Sequence, residues 1–289
     1  MTRDDHGLDR AAAALSEGDG SLPGDRPPRH GGRHSRGETG PVINRVVDIL
    51  TAFTWDRPVL TLTQLSHRTG IPLTTVHRLV GTLCDRSILE RLPSGEYQIG
   101  LRVWEFASLA PRGLGLREVA FPFMEDVFLV TRHNVQLAVR EGHDAVFVER
   151  ITDRSAVPVM NHVGGRFALH PTGVGRLLLA HAPSSVQEEV LAGPLEAFTS
   201  YTVTEPRDLR RVLAAVREQG FAVSDREVTV DAMSVAVPVR GADGTTVAAL
   251  GLVVPAGYAS PVALVPLLQT AARGISRGLA VERKSSTGT

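Results

Sequence analysis

The stretch IPLTTVHRLVGTLCDRSILERLPSGEYQIG, residues 71–100, decides the fold of the first part of the chain. Its first half repeats apolar residues at positions i, i+3, i+4 and i+7, which predicts a helix with one buried stripe. The opposite face carries short hydroxyl groups, an arginine and a glycine, where an ordinary surface helix usually carries long Glu and Lys side chains. Such groups can hydrogen-bond phosphates and base edges in a major groove. The predicted stripe is Val76, Leu79, Val80 and Leu83, and the outward and flanking residues are Thr74, Thr75, His77, Arg78, Gly81, Thr82 and Asp85.

The segments on either side complete a winged helix-turn-helix. Upstream, LTQLSHRTG predicts a short helix ending at Gly70, where a left-handed residue is favoured, and Pro72 suits the first turn of the next helix. Downstream, apolar residues on both sides of a Pro-Ser-Gly turn at 93–95 predict a β-hairpin. A tight turn between two helices, followed by a hairpin, is more specific than the helix alone. A further helix is predicted from Pro41, with Val42, Val46, Ile49, Leu50 and Phe53 at helical spacing.

Composition limits the class of protein. A chain of 289 residues with 43% hydrophobic residues can build about two domains. Its single cysteine excludes an internal disulfide framework and suits a reducing cytosol. No apolar run approaches the roughly 20 residues of a membrane span, and the N-terminus lacks the apolar core of a signal peptide. We therefore expect a cytoplasmic protein.

Charge gives little help to a DNA-binding interpretation. The formal net charge is zero, from 31 basic and 31 acidic residues, so any nucleic-acid contact must depend on local placement. Residues 41–110 hold seven arginines and six acids, a net charge of 7 − 6 = +1. Because such a module would bind weakly alone, we expect two modules to share one site in a dimer. The arginines are 45, 57, 68, 78, 86, 91 and 102, and the acids are 48, 56, 85, 90, 96 and 105.

The second half of the chain alternates helical and strand patterns, which predicts an α+β domain of a sensor-like kind. Hairpins are expected to turn at residues 141–144 and 242–244. One helix is expected to carry Pro122 early, and another to begin at Thr204 as its N-cap. In MSVAVPV and ALGLVV, one face of each strand is Ser, Ala, Gly, Val or Pro and the other is Val and Leu. The face of smaller residues leaves room for a ligand.

A glycine-rich helix start, HPTGVGRLL, has two interpretations. Gly173 and Gly175 could leave backbone N–H groups available for an anion, or they could permit close helix packing. The histidines (133, 143, 162, 170 and 181) fall on separate elements, without the close spacing of zinc ligands. Cys84 adjoins the buried stripe of the 71–85 helix, and no nucleotide-binding or nucleophile motif is present. We expect neither a catalytic site nor a metal or other cofactor.

These pieces resemble the IclR family of bacterial transcription regulators. The resemblance rests on Arg45, on LTQLSHRTGIPLTTVHRLVGTL and YQIG, and on LHPTGVGRLLLA, VREQGFAVSDREV and VAVPVRGADGTTVAALGLVVP, in the family's order over about residues 41–257. Two positions depart from the family. Gln64 stands where an acid is usual, and Thr74-Thr75 stands where Ser-Thr is frequent, and either difference can change the preferred operator.

The resemblance implies a dimeric or tetrameric regulator whose affinity for a pseudo-palindromic operator responds to a small molecule. It implies a tail (1–40), a winged helix-turn-helix (41–100), a linker helix (101–114), a PAS/GAF-like α+β effector-binding domain (115–283) and a tail (284–289). The first tail could touch DNA through its Arg and His clusters, but a solvated tail is favoured. The rival hypotheses are a ligand-binding module with a degenerate DNA-binding head, and an enzyme with a helical docking domain.

Particular residues follow from the resemblance and the helix face together. Arg45, Thr74, Thr75, His77 and Arg78 are the candidate DNA contacts. Leu101, Trp104 and Leu109 lie along one side of the linker helix, where Trp104 is either core or a dimer contact. The family's effector pocket corresponds to Gly173, Val174, Ser224, Ser234, Gly251 and Val253. Because Gly and Val replace the hydroxyls of members that bind small polar acids, we expect a roomier pocket for an organic acid with an apolar or aromatic body.

Overall fold

The computed structural model describes residues 42–110 and 115–286, with side chains described as far as Val281. The tail predicted at residues 1–40 and the predicted end of the linker helix at Pro111 and Gly113 lie outside the described residues. No helix in the described ranges is long and apolar enough to cross a bilayer.

The N-terminal unit is a winged helix, as the 71–100 stretch predicts. A capping box at Thr61 and Gln64 starts its second helix, where the Gln64 side chain accepts a hydrogen bond from the Thr61 N–H at 2.8 Å. Gly70 ends that helix in the left-handed conformation, at φ 69°. The elements are α1 (Val42–Thr51), β1 (Val59–Leu60), α2 (Leu62–Thr69), α3 (Leu73–Asp85), β2 (Leu89–Arg91) and β3 (Tyr97–Ile99), with the antiparallel strands in the order β1-β3-β2.

The predicted stripe of α3 is the centre of this unit's core. Val76, Leu79, Val80 and Leu83 are all buried, and they pack with Ile49 of α1 and Leu65 of α2 in one cluster. Burying this one face fixes which side of α3 points to solvent. A short helix, α4 (Leu101–Ala107), follows the wing and is succeeded by a turn at 108–109.

The C-terminal unit is built on a six-stranded antiparallel sheet in the order β6-β5-β4-β9-β8-β7. Helices α5 and α9 cover one face with an apolar cluster, and α6 and α8 cover the other. The elements are α5 (Leu116–Thr131), β4 (Asn134–Glu141), β5 (Asp144–Ile151), β6 (Arg166–Ala168), α6 (Gly173–Ala180), α7 (Ser184–Ala192), α8 (Pro206–Gln219), β7 (Ala222–Asp225), β8 (Ala232–Arg240), β9 (Thr246–Pro255) and α9 (Pro261–Ser286).

Both predicted hairpins form, but three helix boundaries differ from the sequence-based expectations. The linker helix α4 ends at Ala107, before Pro111, where the sequence predicts its end. Pro122 lies in the first half of α5, as its seventh residue, which agrees with the expected early position. The N-cap of α8 is Glu205, with Pro206 at the first helical position, so the prediction of an N-cap at Thr204 is wrong. Helix α9 continues to Ser286, three residues into the segment predicted as a C-terminal tail.

Candidate functional site

The outward face of α3 is a polar surface without bound partners. Thr74, His77 and Arg78 are exposed and Thr75 is half-buried, while the apolar stripe on the far side is fixed in the core. Among the described residues, no hydrogen bond or ion pair engages the side chains of Thr74, His77 or Arg78, so their polar groups are available. Arg45 of α1 is half-buried. A helix held by one face with such groups on the other can lie in a DNA groove.

Helix α4 presents apolar side chains to solvent. Leu101 is 76% exposed, Trp104 is 58% exposed and Leu109, just past the helix, is 79% exposed. Trp104 is therefore not part of the core of the described residues, and its role as a dimer contact remains a prediction. Phe106, 54% exposed, extends the same apolar surface.

A cavity lies between α6 and the β8–β9 half of the sheet. About 540 Å³ of this cavity, including its open mouth, is not filled by protein atoms. The strand faces are as the alternation predicts: Val235 and Leu252 point into the α5–α9 cluster, whereas Ser234 and Gly251 line the cavity. All six positions that the family resemblance assigns to an effector pocket line this one cavity: Gly173, Val174, Ser224, Ser234, Gly251 and Val253.

The start of α6 is more tightly bonded than the sequence suggests. The Gly173 N–H donates to Ser234 Oγ at 3.1 Å, and the Gly175 N–H donates to Thr172 Oγ1 at 3.0 Å. A Cβ at 173 would lie 2.8 Å from Ser234 Oγ, and one at 175 would lie 2.3 Å from the Leu169 carbonyl oxygen. Close packing therefore explains both glycines, and the expectation that their N–H groups are available to an anion is wrong.

Gly251 has a similar steric role in the sheet. A Cβ at this position would lie 2.6 Å from Cγ1 of Val174, so the valine methyl already occupies the space that a side chain at 251 would need. The expectation of a roomier pocket at this point is not met, because Val174 fills the floor above Gly251. Ser224 is also committed, since its hydroxyl donates to the Pro171 carbonyl at 2.6 Å.

Residues from β4 and from the segment between β5 and β6 complete the cavity, and sequence reasoning missed them. Gln136 pairs across the sheet with Gly251, and its Nε2 donates to Asn161 Oδ1 at 3.2 Å. The guanidinium of Arg150 donates to the Asn161 carbonyl. The available signal was Gln136, a polar residue in the otherwise apolar run VQLAV. The further lining residues are Pro158, Val159, Met160, Phe167, Thr172, Val228, Thr229, Ala232 and Met233.

Among the residues that the structure describes, none with a charged side chain lines this cavity. A buried ion pair of this unit lies elsewhere, between Arg176 of α6 and Glu227. Arg176 also donates to the Val223 carbonyl at 3.0 Å. Cys84 is half-buried, and burial raises the pKa of its thiol, which favours the protonated form. In the part of the chain that the structure describes, no group of three or more His, Cys, Asp or Glu side chains could hold a metal ion.

A winged helix with an exposed polar recognition face, followed by an exposed apolar helix and a sheet with an uncharged cavity, is the architecture of a DNA-binding regulator with a small-molecule sensor. The comparisons with known proteins identify the family. Residues 42–93 match the IclR helix-turn-helix domain, and residues 110–277 match the bacterial transcriptional regulator IclR C-terminal domain. The chain belongs to the IclR family and is a DNA-binding transcription regulator.

Solved and curated relatives match this chain over most of its length. An IclR homolog complexed with 4-hydroxybenzoate, from Microbacterium hydrocarbonoxydans, is 38% identical, covers 83% of this chain and 99% of its own, and superposes with a TM-score of 0.80. An IclR homolog from Microbacterium sp. strain HM58-2 is 37% identical over 83% of this chain and 98% of its own, with a TM-score of 0.55. The p-hydroxybenzoate hydroxylase transcriptional activator of Acinetobacter baylyi is 32% identical over 78% of this chain and 86% of its own length.

These findings confirm the fold class and the family expected from the sequence. They do not test individual contacts. The DNA-binding role of the α3 face, the dimer contact on α4 and the effector-binding role of the six cavity residues remain predictions.

Proposed function

We propose that this regulator binds a pseudo-palindromic operator as a dimer or tetramer, with α3 of each copy in a major groove. Thr74, Thr75, His77 and Arg78 would contact bases and phosphates there, and Arg45 of α1 would contact the backbone. The observation that supports this most strongly is the exposed, unpartnered polar face of α3 opposite a fully buried stripe. The net charge of +1 in residues 41–110 favours two modules acting together.

Replacing Arg78 with alanine tests the placement of α3. If this guanidinium reads a guanine, Arg78→Ala should weaken operator binding by about 1–3 kcal/mol and relax the preference at that base pair. The measurement is a gel shift with an operator selected from a random-sequence library by the full-length protein. Arg154→Ala, at an exposed arginine of the C-terminal unit, is the matched control and should bind as the wild type does. Wild-type affinity in a folded Arg78→Ala protein would mean that α3 does not enter the groove.

For the effector, the proposal is a small organic acid with an aromatic body in the cavity beside α6. The cavity is mostly apolar, with hydroxyl and amide groups at Thr172, Ser234, Gln136 and Asn161, which is the usual make-up of a small-molecule site. The similarity to a 4-hydroxybenzoate complex and to a p-hydroxybenzoate hydroxylase activator supports this class. Because the described walls carry no charged side chain, we propose that backbone and side-chain dipoles hold the carboxylate. The Val174 N–H, in the first turn of α6, has no acceptor among the described residues and is one such dipole.

Isothermal calorimetry with a panel of acids tests this choice directly. We expect 4-hydroxybenzoate or a related aromatic acid to bind and short polar acids such as pyruvate and glyoxylate not to bind, because an uncharged wall cannot offset the desolvation of a small, strongly hydrated anion. Benzyl alcohol, which keeps the ring without the carboxylate, is the matched control ligand. Binding of pyruvate with no binding of any aromatic acid would contradict the proposed ligand class.

The remaining parts of the proposal concern the dimer contact, the location in the cell and the absence of catalytic activity. The apolar side chains Leu101, Trp104 and Leu109 would bury against a second copy, which makes α4 the proposed dimer contact. The chain would act in the cytoplasm as a regulator without catalytic activity or cofactor. A gel shift with the full-length protein separates this from a ligand-binding module with a degenerate DNA-binding head, because only the regulator would select a defined sequence.

A further inference from the structure

One aromatic contact joins the winged helix to the C-terminal unit. The indole ring of Trp55 stacks on the imidazole ring of His162, with centroids 5.5 Å apart and planes inclined by 16°. Trp55 lies between α1 and β1, and His162 lies between β5 and β6. The two residues therefore belong to the DNA-binding unit and to the unit that holds the cavity.

Packing of the winged helix does not explain Trp55. Its side chain is 71% exposed and lies outside the apolar core of that unit. The turn that carries it is nevertheless well fixed, because Thr54 and Arg57 exchange two backbone hydrogen bonds of 3.2 and 3.0 Å. The winged helix thus presents a large aromatic ring on a short, hydrogen-bonded turn, aimed at the neighbouring unit.

On the other side, His162 directly follows a wall of the cavity. Residues 158–161 line the cavity, and Asn161 is tied to the sheet through Gln136 and Arg150. The Gly165 N–H donates to the His162 carbonyl at 2.9 Å. A Cβ at 165 would lie 3.0 Å from Cε1 of the His162 ring, so glycine at this position lets the ring lie against the backbone. The imidazole is thereby held between the Gly165 backbone and the Trp55 ring.

We propose that Trp55 and His162 couple the cavity wall to the DNA-binding unit. This inference rests on the proposed function. His162 directly follows Asn161 in the chain, so a ligand that displaces residues 158–161 must also move His162. This movement increases or decreases the overlap between the His162 ring and the Trp55 ring. Losing a stacked aromatic pair changes the equilibrium constant between two arrangements of a protein by a factor of about 2 to 12. The same factor is the largest change in operator affinity that this contact alone can transmit.

A double-mutant cycle on operator binding tests the contact without any ligand. Trp55→Ala, His162→Ala and the double variant of the full-length protein are titrated against an operator selected from a random-sequence library. We expect each single variant to change the Kd by a factor of about 2 to 12 in the same direction, with no further change in the double variant. His162→Phe, which keeps a ring, should restore most of the wild-type value, and Val163→Ala, at the next residue, should leave it unchanged. Additive effects, or no effect of either single variant, would overturn the proposal.

Ligand titration supplies a second and separate readout. With 4-hydroxybenzoate as the probe, Trp55→Ala should change the calorimetric Kd for the acid by no more than the factor of about 2 to 12 that the stack can supply, because Trp55 does not line the cavity and acts only through His162. The same variant should reduce the change that the acid causes in operator Kd. A response to the acid as large as in the wild type would count against the coupling. If the wild type does not bind 4-hydroxybenzoate, the proposed ligand class fails, and the ligand-independent cycle still decides the role of the stack.

Discussion

Replacing Gly251 with alanine should expose how tightly the floor of the cavity is packed. The added Cβ would lie 2.6 Å from Cγ1 of Val174, about 1 Å closer than an ordinary carbon–carbon contact. Val174 lies in α6, where a β-branched side chain has one strongly preferred rotamer, so it cannot simply turn aside. Overpacking of this kind costs about 1–3 kcal/mol, offset by about 0.4–1 kcal/mol because alanine restricts the unfolded chain. We expect a net loss of about 1–2 kcal/mol.

A second substitution distinguishes this steric explanation from a general weakening of the strand. Val174→Ala removes two buried methyl groups and should cost about 1.6 kcal/mol alone, at about 0.8 kcal/mol for each group. In the double variant Gly251→Ala/Val174→Ala the overlap is gone, so the cost should fall below the sum of the single costs by about 1 kcal/mol or more. Gly115→Ala, at a glycine with open space around its Cβ position, is the control and should not destabilise the unit.

The assays are urea unfolding of the C-terminal unit, calorimetry with 4-hydroxybenzoate and a gel shift with operator DNA. Ligand affinity should fall in Gly251→Ala, because Val174 is pushed toward the cavity, and operator affinity without ligand should not change. Additive costs in the double variant, or a Gly251→Ala protein as stable as the wild type, would show that Val174 does not occupy the space above Gly251.

The remaining predictions concern assembly and pH. If Trp104 is a central anchor of the dimer contact, Trp104→Ala should weaken self-association by about 30-fold, as measured by sedimentation. The control Trp55→Ala should associate as the wild type does. Equal association of both variants and the wild type would show that α4 is not part of the interface. Burial lowers the pKa of His133 and of His181 below the usual 6.5, so the unfolded chain takes up more protons than the folded one as the pH falls. The free energy of unfolding should therefore be greatest above pH 6.5 and decrease below it, and His133→Gln/His181→Gln should flatten this dependence in urea unfolding between pH 5 and 8. An unchanged slope would mean that neither ring is buried in its neutral form.

The parts of the fold that the sequence predicts are those set by local periodicity. The α3 stripe from Val76 to Leu83 and the alternation of Ser234 and Val235 each follow from where successive side chains point on one element. The family resemblance then brought together six cavity residues from four elements, which periodicity alone could not do. Helix boundaries are predicted less accurately than the buried stripes. Pro206 takes the first position of α8, so the N-cap is Glu205 and not Thr204.

The rest depends on contacts between segments that are distant in the chain. Gln136 faces the cavity because β4 lies next to β9, and Asn161 reaches it because the segment after β5 folds back over that face. Neither the overlap of Val174 with the space above Gly251 nor the stack of Trp55 on His162 leaves a pattern in the sequence, because each is a single pair brought together by the tertiary fold.

The central claim is that an aromatic acid bound in the cavity of the C-terminal unit controls the affinity of α3 for operator DNA. The most direct test is to measure the operator Kd of the full-length protein at increasing concentrations of 4-hydroxybenzoate. We predict a saturable change in operator Kd that is half complete near the calorimetric Kd of the acid for the free protein. When the acid is titrated into the protein–DNA complex, its Kd should differ from that for the free protein by the same factor by which the acid changes the operator Kd. Operator binding that stays constant while calorimetry shows the cavity filling with the acid would contradict the claim.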